Sequence, residues 1–530
     1  MSSPAGPVAE ASRRRTFAII SHPDAGKTTL TEKLLLYGGA LGREAGAVKA
    51  KGERRSATSD WLELEQQRGI SITSTVLQFP YRDCVVNLLD TPGHRDFSED
   101  TYRVLTACDA AVMVLDAAKG IEAQTQKLFE VCRSRGLPIL TYINKWDRPG
   151  LSPLELIDEI ESKLGLICTP MTWPVGIAGD FRGVVDRNTH DFIRFTRTAR
   201  GSTEAPEEVV PAARALAEEG ASWSESLDEL ELLSGAVHDR EMFLAGETTP
   251  MFFGSALTNF GVRLLLDSVI DEVPSPSARN DANGEPRPID SPFSGFVFKV
   301  QANMDRSHRD RIAFLRVCSG RFERGVVVTH NRTRKPFATK YAHSVFGQER
   351  ETIEEAFPGD VVGFVNATDL RVGDTLWLDT PVAYPEIPSF APEFFAIART
   401  TDIGRTKQFR NGISQLDEEG VVQVLRDQNY GDQAPMLAAV GALQFEVAKH
   451  RLENEFGAPI ELTMTGYKVA RRTDAESSPT LRAMQGVDVL SRRDGTLLAL
   501  FESSYWLERL ISEHPELTLE RLVAEGELRQ

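Results

Sequence analysis

Cysteine is scarce, and nothing in its arrangement suggests a scaffold. The 530 residues contain five, Cys84, Cys108, Cys132, Cys168 and Cys318, an odd number, widely spaced and without a CxxC pair. Neither a disulfide framework nor a zinc site is indicated, so core packing is their expected role. No stretch approaches the ~18 apolar residues of a membrane span. The opening MSSPAGPVAEASRRR leads only into the short apolar run TFAII, so there is no signal-peptide core. A cytoplasmic protein with no membrane partner is expected. Positive charge is in deficit as well: 60 Lys and Arg against 77 Asp and Glu leave a net charge of -17. That balance argues against nonspecific coating of nucleic acid, while leaving room for local basic patches. Long repeats and low-complexity tracts are also lacking. What is present is a globular composition with 41% apolar residues, sufficient for several cores, over a length that suggests roughly three domains.

Two proline-rich breaks divide the chain. Val273 to Pro292 carries five prolines among polar residues and Thr380 to Glu393 carries four; both read as linkers. The expected division is a first domain over 1–272, a linker over 273–292, a second domain over 293–380, a linker over 381–392 and a third domain over 393–530. Before the first break, TFAII, CVVNLL, AAVMVL and PILTYI alternate with helical stretches, as in a mainly parallel sheet with helices on both faces. Between the breaks FSGFVFKV, RIAFLRVCSG, GVVVTH and DVVGFVNA predict a small β-barrel. After the second break FFAIA, VVQVL and IELTM interleave with a helix carrying Leu443, Val447, Ala448, Leu452 and Phe456 on one face and Gly457 as its stop, which predicts an α+β domain. The fold class is therefore multidomain α/β.

SHPDAGKTT, formed by Ser21, His22, Pro23, Asp24, Ala25, Gly26, Lys27, Thr28 and Thr29, lies between the strand TFAII and a predicted helix. That is the order a phosphate loop requires. Backbone N–H groups from Asp24 to Thr29 would surround the phosphates at the helix start, Lys27 would neutralise the β- and γ-phosphates, and the Thr28 hydroxyl would ligate Mg2+. Ser21 stands where the GxxxxGK[ST] pattern asks for glycine, but a small residue suffices if φ stays negative. Asp90, Thr91, Pro92, Gly93 and His94 follow the strand CVVNLL, so Asp90 can hold Mg2+ through water and Gly93 can offer its N–H to the γ-phosphate. Asn144, Lys145, Trp146 and Asp147 close PILTYI. The Asp147 carboxylate can accept two hydrogen bonds from guanine N1 and N2, donors that adenine lacks there. The nucleotide expected is thus GTP or GDP, not ATP. Ser255, Ala256 and Leu257, within GSAL at the end of TPMFF, would bring backbone N–H groups to guanine O6.

Gly42 to Gln66 mixes glycine and charge with few apolar anchors and reads as a switch loop ordered by the γ-phosphate and Mg2+. In QRGISITS after it, the Ser71 hydroxyl is a candidate second ligand to Mg2+. His94, directly after the glycine of DTPG, can orient an attacking water and stabilise charge in a loose phosphoryl-transfer transition state. No intrinsic arginine finger stands out, so hydrolysis is expected to be slow until a partner completes the site. From Asp147 to Ser255 the chain far exceeds the ~30 residues of a βαβ unit, so an inserted subdomain is expected over about 165–250, including the acidic helical stretch SESLDELELL.

SHPDAGKTTL, DWLELEQQRGISITS, DTPGHRDFSEDTYRVL, NKWDR and GSALTNFGV together resemble the translational GTPases of the elongation factor G and elongation factor Tu superfamily. TWPVGIAGDFRGVVD and ALQFEVAKHRLENEF extend the resemblance to the branch acting at termination. It implies a GTPase domain, an elongation-factor-like β-barrel and a third α/β domain. It also implies GTP hydrolysis stimulated by the 70S ribosome, and promotion of the departure and recycling of class-I peptide release factors, by a protein acting as a monomer. Ser71 departs from the threonine most relatives carry. Two other readings stay open: another ribosomal GTPase of translocase-like or ribosome-protection type, which the end of the chain after the third domain disfavours, and a GTP-dependent binding module that does not hydrolyse.

Overall fold

The structure, a computed structural model, describes residues 6–40, 74–198, 203–302, 311–346, 349–387, 390–427 and 434–522. The first domain is built on a seven-stranded sheet. Its strands are β1 (Arg14–Ser21), β2 (Thr75–Tyr81), β3 (Cys84–Asp90), β4 (Ala110–Asp116), β5 (Ile139–Asn144), β6 (Ile167–Pro170) and the strand Thr248–Phe253. They run in the order β2, β3, β1, β4, β5, Thr248–Phe253, β6. Pairing is parallel except for β2 against β3. Every residue of β4 and β5 is buried, which is why these strands read as unbroken apolar runs: helices cover both faces. On β1 the alternation of side chains serves two cores. Phe17 and Ile19 meet Leu30, Leu34, Leu265 and Leu266 from the helices Lys27–Tyr37 and Val262–Glu272. Ala18 and Ile20 meet Leu105, Leu128, Ile157 and Ile160 on the other side.

The insertion carries its own antiparallel sheet of strands Thr172–Val175, Gly183–Asp186, Phe192–Phe195 and Glu207–Val210. The helices Ala212–Glu219 and Ala221–Leu232 follow it, and Trp223 packs edge-on against Phe192 at 5.7 Å between ring centroids. The ends of the span expected as insertion, β6 and Thr248–Phe253, instead pair with each other in the main sheet.

Among the described residues the barrel domain is an eight-stranded antiparallel sheet, from Ser294–Ala302 to Thr375–Trp377, with the short pair Phe322–Glu323 and Glu355–Ala356 beside it. The segments read as linkers carry side chains that pack against the barrel. Arg279 lies 4.6 Å above the Phe296 ring, the buried Arg287 donates from Nε to Ser319 Oγ at 2.9 Å, and the Tyr384 hydroxyl bonds Ser294 Oγ at 2.7 Å. Beyond them the chain forms two antiparallel sheets with helices packed on them, an α+β arrangement. A four-stranded sheet is covered by the helices Thr406–Glu419 and Ala442–Asn454, and a three-stranded sheet by Ser478–Arg482 and Ser504–Glu513. Phe395, Leu425, Leu490 and Leu500 form a cluster that joins the two sheets.

Buried charge pairs seat the barrel on the first domain. Arg14 Nε lies 3.1 Å from Asp360 Oδ2, with both side chains under a tenth exposed. Arg316 donates from one guanidinium nitrogen to both carboxylate oxygens of Asp109, at 2.7 and 2.8 Å. Removing one partner of a buried pair leaves the other charge uncompensated. Asp360→Ala is therefore expected to destabilise the protein by about 3 kcal/mol, the lower end of the usual range, because Arg14 keeps Glu10. A lowered midpoint of thermal unfolding checks this; an unchanged midpoint contradicts it.

Candidate functional site

The motif loops leave the carboxyl ends of β1, β3, β5 and Thr248–Phe253, so the parallel sheet gathers them along one edge, where α/β folds bind ligands. In the first loop Asp24 (φ 66°) and Gly26 (φ 96°) take the left-handed conformation and Ser21 does not. The glycine requirement thus falls at Gly26, where a Cβ would meet Asn144 Nδ2 at 2.3 Å, and serine suffices at position 21. Ser21 donates its hydroxyl hydrogen to the carbonyl of His22 at 3.0 Å. Lys27, at the start of the helix, is buried and places Nζ 2.7 Å from Asp90 Oδ1, which is buried too. Thr28 and Thr29 are half-buried in the same first turn. Thr91 donates to the Ile19 carbonyl at 2.6 Å, tying the second loop to β1. Pro23 and Gly93 face each other: a Cβ on Gly93 would lie 3.7 Å from Pro23 Cα.

Asn144 joins the remaining loops. Its Nδ2 donates to the Ala25 carbonyl at 2.7 Å, and its Oδ1 accepts from the Ala256 N–H at 2.9 Å. Lys145, with φ 65°, donates from Nζ to the Asp24 carbonyl and pairs with Asp116 Oδ2 at 2.8 Å. Burial pushes the Asp116 carboxyl up, but the hydrogen bonds from Lys145 and the Ala118 N–H outweigh it and hold the group below its ordinary range. Trp146 turns away from the site: its indole is fully buried and stacks edge-on against Phe253 at 5.0 Å. Only its backbone lies among the loops, with its N–H donated to Gly254 O at 3.1 Å. The half-buried Asp147 carboxylate makes no hydrogen bond or ion pair among the described residues. Of the backbone N–H groups expected at guanine O6, that of Ser255 goes to Phe260 O and that of Ala256 to Asn144. The N–H of Leu257, whose side chain is exposed, has no such partner among the described residues. Ser71 and the switch segment Gly42 to Gln66 lie outside the described residues.

His94 is partly exposed, and its Nδ1 accepts a 3.3 Å hydrogen bond from the Asp96 N–H. An acceptor at Nδ1 leaves the proton of the neutral ring on Nε2. Two residues were missed by motif reading. Asp116 ends β4 as Asp90 ends β3, so the signal of an acid at a strand end was available. Glu122 sits 2.6 Å from Nδ1 of the fully buried His22. Burial lowers the affinity of His22 for a proton more than Glu122 raises it, and no local pattern signals this contact.

The donors present fit a phosphate chain with Mg2+: backbone N–H groups at a helix start, one buried lysine, and two hard oxygen donors in Thr28 and Asp90. Among the described residues no cluster of three or more His, Cys, Asp and Glu side chains could hold a metal by itself. Mg2+ commonly takes only one or two protein oxygens beside substrate phosphates.

Residues 12–275 match the family described as Elongation factor Tu GTP binding domain. Residues 292–378 match Elongation factor G domain 2, and residues 384–511 match Class II release factor RF3, C-terminal domain. The chain is 52% identical over 518 residues to the peptide chain release factor 3 of Gloeobacter violaceus, covering 96% of this chain and 97% of that one. It is 50% identical over 521 residues to that of Microcystis aeruginosa, covering 97% and 96%. A solved structure from Thermus thermophilus shares the fold with a TM-score of 0.68 at 23% identity, over 92% of this chain and 72% of its own.

If Asp147 reads guanine, Asp147→Asn is expected to weaken GTP binding by orders of magnitude and to favour xanthine nucleotides, whose C2 carbonyl can pair with an amide. Titration of both nucleotides checks this, and unchanged GTP affinity contradicts the assignment.

Proposed function

Since the chain belongs to the peptide chain release factor 3 family of translational GTPases, we propose that it hydrolyses GTP on the 70S ribosome at termination. In doing so it promotes the departure and recycling of class-I release factors, and hydrolysis then drives its own release. The observation that carries this reading is agreement along the whole chain, C-terminal segment included, with curated release factors of that name. That agreement favours the termination factor over a translocase-like or ribosome-protection GTPase.

In this reading the N–H groups from Asp24 to Thr29 and the Lys27 ammonium hold the β- and γ-phosphates, and Asp147 with the Leu257 N–H selects guanine. Thr28 and Asp90 hold Mg2+, with Ser71 as a further ligand; the ion supplies neutralisation of phosphate charge. The short Lys27–Asp90 contact supports a shared role, because it sets the cation and the carboxylate side by side beneath one loop. His94 orients the attacking water through Nε2. The protein acts as a monomer in the cytoplasm; among the described residues no helix is long and apolar enough to cross a membrane.

Because His94 acts on chemistry and not on binding, His94→Ala is expected to leave the GTP dissociation constant within a few-fold. Ribosome-stimulated hydrolysis is expected to fall by ~10²-fold or more. Phosphate release with and without ribosomes measures this; stimulated hydrolysis at the wild-type rate would make His94 a bystander.

A further inference from the structure

The loop that carries His94 is docked on the third domain. Asp96, two residues on, reaches the helix Ala442–Asn454, where its Oδ2 accepts the backbone N–H of Leu443 at 2.7 Å. The position before that helix, where a side chain would cap it, is Gly441, which has none. The carboxylate of another domain therefore takes the place an Asp or Ser would fill at the helix start. Gly441 has φ -140° and ψ 154°, a conformation open to any residue, so its backbone does not call for glycine. Close approach does: a Cβ there would lie 2.0 Å from Asp96 Cγ. Next to it, Phe97 packs with Leu443 and Val447 in a small buried cluster.

The helix Ser98–Leu105 continues this contact to a second helix end. Arg103 donates to the Glu419 carbonyl at 3.3 Å, at the C-terminus of Thr406–Glu419. A Cβ on Gly420 would collide with the Arg103 guanidinium at 2.0 Å. An acid thus sits at one helix N-terminus and a base at another helix C-terminus, the complementary arrangement for both dipoles. The same Asp96 also meets the histidine ring: its N–H donates to Nδ1 of His94 at 3.3 Å, and its Oδ1 lies 3.5 Å from that nitrogen. The Phe97 N–H closes the turn onto the His94 carbonyl at 3.0 Å.

We infer that seating of the third domain on the first orients His94: the helix after Gly441 holds Asp96, and Asp96 fixes the imidazole through Nδ1. Asp96 is a positioning residue, and Gly441 is the position that admits it. Hydrolysis is thereby gated by a contact between residues far apart in the chain, so the ribosome can set the rate by pressing the two domains together or parting them. The inference rests on the assignment of His94 to hydrolysis.

The test is single-turnover, ribosome-stimulated GTP hydrolysis by the full chain, with rate at saturation, ribosome concentration for half-maximal rate, GTP affinity and melting temperature measured for each variant. Misplacing a catalytic group slightly costs up to about 100-fold. Asp96→Ala and Gly441→Ala are each expected to lower the saturating rate by roughly 10- to 100-fold, with the half-maximal concentration and GTP affinity within a few-fold of wild type. Asp96→Asn keeps an oxygen for the Leu443 N–H and is expected to restore most of the rate. A folded Gly441→Ala at the wild-type rate overturns the inference. So does loss confined to GTP or ribosome affinity, which marks a merely structural contact. If His94→Ala itself hydrolyses normally, the assignment of His94 fails; if His94→Ala is inactive while Gly441→Ala is fully active, only the seating fails.

Discussion

One amide side chain holds the nucleotide site in register. Asn144 bonds the Ala25 carbonyl on one side and the Ala256 N–H on the other, so the loop after β1, the end of β5 and the loop after Thr248–Phe253 share a single buried joint. Both bonds lie where water cannot replace them, and losing them would strand two backbone groups. The joint also explains Gly26, whose missing Cβ makes room for that amide. From there the direction of the helix Lys27–Tyr37 follows, and with it the position of Lys27 opposite Asp90.

Outward from that joint, the connections between domains combine polar pairs with apolar packing, such as Phe97 against Leu443 and Val447 and the Tyr102 ring against that of Phe390. The barrel is held through Arg14 with Asp360 and Arg316 with Asp109. It also reaches the helix after the histidine loop, since Lys299 donates to the hydroxyl oxygen of Ser74 at 2.6 Å, and Ser74 in turn bonds Asp100. The third domain reaches the same helix through Arg103, which donates to the Glu419 carbonyl. A ligand moves an equilibrium between two domain arrangements only through its differential affinity for them.

The central sheet was legible because strands covered on both faces become continuous apolar runs, as in TFAII and AAVMVL, and because motif residues cluster at strand ends. The helix around Leu443 to Leu452 was legible from its apolar face. Other features depend on partners distant in the chain. Prolines among polar residues mark 273–292 as a linker but carry no sign of its packing through Arg279 on Phe296 and Arg287 on Ser319. The three-stranded sheet near the C-terminus escaped notice because its strands are only five residues each and their apolar faces are completed by other segments. Membership of NKWD could not reveal that Trp146 points into the core. Nor could Gly441 in a helix-start pattern disclose that Asp96, 347 residues earlier in the chain than Leu443, occupies its missing side chain.

In the function proposed, departure of a class-I release factor is the output that the nucleotide site and the domain contacts serve. The most direct measurement follows a labelled class-I factor on a ribosome after peptide release, with and without this protein and GTP. Faster dissociation that requires both, with movement of tRNA and messenger unaffected, is the expected result. Accelerated translocation with no change in release-factor departure would contradict the account.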